Sequence, residues 1–89
     1  MLSRTQAQQL EKMINNPYSD DVAEKRKGEF VLRICNYIKE SVIINSRGEG
    51  IELFGFLMEL VDDELVELNE AIEQGNDDDV YTELDFLFE

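Results

Sequence analysis

The segment DDELVELNEAI, residues 62–72, sets five carboxylates into eleven residues and still reads as an amphipathic helix. Carboxylates one helical turn apart can do two kinds of chemistry. They can converge on a divalent cation, as Glu64 and Glu67 would at a spacing of three residues. Alternatively, they can line the wet side of the helix as an anionic strip that faces a cationic surface. With about 100° between successive residues, Glu59, Asp63 and Glu70 fall within about 20° of Glu52. Asp62, Glu67 and Glu73 flank that line, which completes the set expected to bind a partner. Glu64 projects about 120° away, between Leu60 and Leu68 on the apolar side. A carboxylate there must reach water at the edge of the fold, pair with Arg33 or Lys39, or hold a metal.

Little else in the chain offers chemistry, and no catalytic residue is assigned. There is no histidine, which removes the commonest general base and metal ligand. Cys35 lies on an apolar stripe and reads as an inert core thiol. The glycine-bearing SRGEG lacks the phosphate-binding loop pattern and its lysine. The acids of NDDD, 76–79, lack calcium-loop spacing and read as helix capping. The run Lys25-Arg26-Lys27 is too short for a nucleic-acid patch in so acidic a chain.

The charge is unevenly distributed. Residues 1–47 carry six acids and eight bases, for +2, and residues 48–89 carry fifteen acids and no base, for −15, giving the overall −13. Such a field repels nucleic acid and anionic membranes and attracts basic surfaces, so direct contact with either is not expected. One cysteine excludes an internal disulfide and fits a reducing compartment. No stretch approaches the roughly 20 apolar residues of a membrane span. The opening MLSRTQAQQL has no apolar signal region. The expectation is a cytoplasmic protein.

The elements that must position these groups are helices. Ser3 and Gln6 form a capping box for a helix over 4–15. Pro17 ends it, and Ser19 or Asp20 can cap the next. Phe30, Val31, Ile34, Cys35, Ile38 and Val42 predict a second helix over 21–44, weakened at Gly28 by about 1 kcal/mol relative to alanine. The β-branched run Val42-Ile43-Ile44 makes its end soft, and NSRGEG, 45–50, is a loop. A broad apolar face predicts a third helix over 51–74, closed by Gly75. Asn76 or Asp77 caps a fourth over 78–88, whose first turn is acidic. These add up to a single all-α acidic domain over 1–89, a small bundle of three to four helices with a C-terminal helical hairpin. The aromatic end DFLFE either docks in that core or serves a dimer or partner interface.

ELVELNEAIEQG followed by VYTELDFLF resembles the helix pair of the MazG-like all-α nucleoside triphosphate pyrophosphatases. That family carries E-x-x-E on one helix and E-x-x-D on the next, and the four carboxylates hold Mg²⁺ for triphosphate hydrolysis. The resemblance covers roughly residues 50–88. It implies Glu64, Glu67 and Glu83 as metal ligands and Mg²⁺ as the cofactor. The second motif departs from the pattern: with the helices aligned through Gly75, Phe86 takes the aspartate position and Asp85 comes one residue early.

Two functions from different classes follow. The first is a non-enzymatic interaction protein, an inhibitor or nucleic-acid mimic of the style found in phages and mobile elements. Its strip Glu52, Glu59, Asp62, Asp63, Glu67, Glu70 and Glu73 would meet the basic surface of a partner such as a nucleic-acid-binding protein, with no cofactor. The alternative is a degenerate MazG-like nucleoside triphosphate pyrophosphatase using Mg²⁺, and under either reading the C-terminal helix can serve a homodimer.

Overall fold

The computed structural model describes residues 2–15, 22–45 and 47–88. The expected break at Pro17 and the caps at Ser19 or Asp20 lie outside these residues.

Helix α1 spans Arg4–Asn15. Its capping box forms as the sequence implies, with the Gln6 N–H on Ser3 Oγ at 3.1 Å and the Ser3 N–H on Gln6 Oε1 at 3.0 Å. Helix α2 spans Val22–Tyr37 and packs against α1. Gly28 sits at their closest approach, where an added Cβ would stand 3.1 Å from both Met13 Cβ and Ile14 Cγ1. The glycine that weakens the isolated helix is therefore what lets the two helices approach.

The second helix does not reach 44. It stops at Tyr37, and Val42–Ile44 form strand β1, paired antiparallel with β2, Gly50–Glu52. Three consecutive β-branched residues favour the pleated conformation. The turn is built for it as well. Asn45 Oδ1 accepts the N–H groups of Arg47 at 2.9 Å and Glu49 at 3.0 Å, and Gly48 takes φ +80°. The fold is largely helical rather than all-α, because this ribbon joins its two halves.

The expected helix over 51–74 is also divided. Helix α3 covers Leu53–Glu59 and α4 covers Asp62–Glu73, with Leu60 and Val61 extended between them. The break follows from two local preferences. Glu52 caps α3 with Oε2 on the Gly55 N–H at 2.6 Å. Asp62, Asp63 and Glu64 then occupy the first turn of α4, where the helix dipole favours anions. Glu64 Oε1 accepts the Val61 N–H at 3.2 Å and fixes the new start.

Helix α5, Asp77–Phe88, follows after a tight reversal. Gly75 has φ +69°, and the Gly75 and Asn76 N–H groups return to the carbonyls of Ile72 and Ala71, a Schellman closure. Asn76 Oδ1 then caps α5 at the Asp79 N–H. The core runs through Leu10, Val31, Ile34, Ile38, Leu53, Leu57, Leu65, Leu68, Val80 and Leu84, all essentially inaccessible to solvent. Val42, expected in the apolar stripe of helix two, is instead 49% exposed on β1. Phe88 packs edge-on against Phe56 of α3 with ring centroids 4.4 Å apart, whereas Phe86 of the same aromatic end stays 69% exposed. Among the described residues no helix is long and apolar enough to cross a membrane.

Candidate functional site: a carboxylate groove between α4 and α5

Helix α4 presents its core face, Leu65, Leu68 and Asn69, to the interior. Its opposite face therefore carries Asp62, Asp63, Glu67, Glu70 and Glu73, all exposed. Glu59 is exposed at the end of α3, and Glu52 lies before it on β2. The break at Leu60–Val61 means that Glu52 and Glu59 do not continue the α4 face as one straight ridge.

Three of the expected strip residues have partners within the fold. Glu52 caps α3 and also accepts Gln6 Nε2 at 3.1 Å, which ties α1 to the start of α3. Glu73 pairs with Arg33 of α2 at 3.1 Å, with both side chains more than half exposed. A pair so wet contributes at most about 1 kcal/mol. Glu67 meets Glu83 of α5. Glu64 Oε1 caps α4, and Arg33, one of the cations expected for it, pairs with Glu73.

Between α4 and α5 runs an open groove of about 360 Å³, lined by Glu67, Glu70, Gln74, Asp79, Thr82 and Glu83 among others. Four of these carry carboxylates, and no lysine or arginine lines it. Glu83 is half-buried there. Its carboxyl is pushed above the ordinary glutamate range by burial first, then by a hydrogen bond to Glu67 and by the charges of Glu67 and Glu64. Glu83 and Glu67 face each other across the hairpin.

The structure therefore brings Glu64, Glu67 and Glu83 into one neighbourhood, by way of the Gly75 reversal. Among the described residues no group of three acidic or sulfur side chains stands close enough to hold a metal ion.

The sequence reading missed two features of the site. The start of α4 is legible in DDE, a triple acid at a helix N-terminus, but the apolar periodicity running through Leu60 and Val61 masks it. The groove is legible only once Gly75 is read as bringing 67 and 70 opposite 79 and 83. The chain matches no protein-family model, no curated protein and no solved structure.

Proposed function

We propose that the protein is a non-enzymatic interaction protein whose α4–α5 groove receives a lysine or arginine side chain from the basic surface of a partner. The observation that carries this reading is the groove itself, lined by Glu67, Glu70, Asp79 and Glu83 and by no cation. Asp62 and Asp63 extend the same negative field along α4 and steer a cationic partner toward it. A guanidinium entering between Glu67 and Glu83 offers a charge-assisted hydrogen bond to each carboxylate. A partner that normally grips nucleic acid suits a helix bearing carboxylates at about 5–6 Å intervals.

The test is capture from a host lysate at low and high salt, with Asp63→Lys, Glu67→Lys and Glu70→Lys combined as the variant. A partner held by the native protein, released by salt and lost by the variant with its helical circular dichroism intact, supports the reading. Equal capture by the variant overturns it.

One observation favours the alternative, a Mg²⁺-dependent nucleoside triphosphate pyrophosphatase. Glu67 and Glu83 meet with Glu64 beside them, the trio that the MazG-like resemblance implies. The lack of any chelating triad among the described residues makes the interaction reading the stronger one. Titration with Mn²⁺, followed by an assay of pyrophosphate release across nucleoside triphosphates, separates the two. Metal-induced broadening confined to Glu64, Glu67 and Glu83, together with product release, would favour the enzyme.

A further inference from the structure

Strand β1 has a free edge. In its ladder, Ser41, Ile43 and Asn45 direct their backbone groups to β2, as shown by the Leu53 N–H on Ser41 O at 2.9 Å and the Asn45 N–H on Glu49 O at 3.0 Å. The alternation of an antiparallel pair then turns the N–H and C=O of Val42 and Ile44 outward. These groups have no backbone partner among the described residues. Natural sheet edges are commonly blunted by charge or proline, yet β1 carries only Val42, Ile43 and Ile44. Val42 is 49% and Ile44 65% exposed.

The edge does not face open water alone. An open groove of about 530 Å³ separates β1 from α5, with Ile43, Ile44 and Asn45 on one wall. Asp78, Tyr81, Thr82 and Asp85 form the other, a single helical face at spacings of three, four and seven, with Phe88 at its end. The space is therefore bounded by the Ile44 end of the strand edge, by apolar side chains, and by the acidic face of α5. It contains no lysine or arginine. A groove between a sheet edge and a helix is the setting in which an extended peptide adds a strand.

The geometry points to this groove as a docking site for an extended, cationic segment of a partner protein, which adds to β1 as a third strand. Its backbone bonds to Ile44 beside the groove and to Val42 further along the same edge, an apolar side chain packs on Ile44 and Tyr81, and lysine or arginine side chains reach Asp78. Charge complementarity selects this occupant over another copy of so acidic a chain. The site adjoins the Glu67–Glu83 groove, sharing Thr82 with it, but its strand-edge contacts are its own and their test is read separately from that reading.

The probe is an acetylated, amidated peptide alternating lysine with valine, set against the same peptide methylated on its backbone nitrogens. Amide exchange and chemical shifts of the full chain are followed by NMR at low salt. The unmethylated peptide is expected to shift the Val42 and Ile44 amides and slow their exchange. The methylated peptide, with equal charge, is expected to bind about tenfold or more weaker, having lost its donors. Ile44→Pro removes one outward N–H without touching the ladder to β2 and should weaken the parent peptide similarly. Equal binding of both peptides shows charge attraction alone and overturns the proposal. So does an absence of shifts at Val42 and Ile44. Protection of those amides without peptide, in a protein that light scattering finds dimeric, overturns it in favour of a second copy at the edge.

Discussion

Glu83 ties local chemistry to the stability of the fold. Its carboxyl titrates above the ordinary value of 4.5 because burial, the Glu67 hydrogen bond and the charges of Glu67 and Glu64 all favour the protonated form. In the pH window between the unfolded and folded values, the folded chain holds a proton that the unfolded chain releases. Stability from this group is fully present below the unfolded value and is lost as pH rises through the folded one. Thermal midpoints measured from neutral pH down toward the carboxylate range should therefore rise, and Glu83→Gln should flatten that rise. Glu59→Gln, on an exposed side chain, should leave the slope unchanged; an equal effect of the two would assign it to general repulsion. Asn69 is a second residue at odds with its surroundings. It is 3% exposed, gives Nδ2 to the Leu65 carbonyl at 2.9 Å, and leaves Oδ1 without a partner. A buried orphan acceptor costs about 1–3 kcal/mol, whereas an apolar group of similar shape costs little. Asn69→Leu should raise the denaturation midpoint by the equivalent of about 1 kcal/mol. Cys35, by contrast, is quiet: burial pushes its thiol up to about 11, with the Glu52 charge adding to the effect. Iodoacetamide should label it only after unfolding.

At the scale of elements, the closures are more legible than the lengths. Ser3 with Gln6, Gly75 and Asn76 each carry a side-chain or backbone requirement that one residue type meets, and each acts in the fold as its type dictates. Gly75→Ala puts a Cβ into the left-handed region at φ +69° and should destabilise the hairpin by about 1–2 kcal/mol, read by chemical denaturation. Gly28→Val should be worse than its gain over glycine in an isolated helix suggests, because the 3.1 Å approaches of Met13 and Ile14 leave no room. Overpacking there is expected to cost about 1–3 kcal/mol. Helix lengths were less legible. Apolar residues recur through Leu60 and Val61 at helical spacing, yet the chain breaks there, since the capping by Glu52 and Glu64 depends on where each helix starts. The ribbon was hidden for a similar reason. Val42-Ile43-Ile44 suits either a helix end or a strand, and only the Asn45–Gly48 turn and the pairing with β2 decide between them. The carboxylate groove is partly legible: α4 supplies its acids in plain sequence, but the joining of Glu67 to Glu83 depends on a reversal whose geometry residue types alone do not give.

For the whole molecule, the net charge of −13 sets stability and recognition against each other. The fold extends 42 × 25 × 21 Å with a radius of gyration of 13.0 Å. At an ionic strength near 0.01 M the screening length is about 30 Å, so each carboxylate feels nearly every other. Near 0.1 M it falls to about 10 Å, and repulsion becomes local. The Arg33–Glu73 ion pair offsets part of that repulsion, and both its members are well exposed. Screening should thus remove more repulsion than attraction, and the thermal midpoint should rise with added NaCl. Each kcal/mol relieved moves the midpoint of a chain this size by about 4–8 °C, so the effect is readily measured. Binding to a cationic partner should weaken over the same range, because the carboxylates that repel one another are the ones that attract it. MgCl₂ matched to NaCl in ionic strength supplies the control. Equal midpoints mean that the anions act as a diffuse field, as an interaction surface requires. A midpoint gain at low Mg²⁺ that NaCl does not reproduce, and that Glu67→Gln removes, would mean an ion held by particular carboxylates and would shift the balance toward the pyrophosphatase reading.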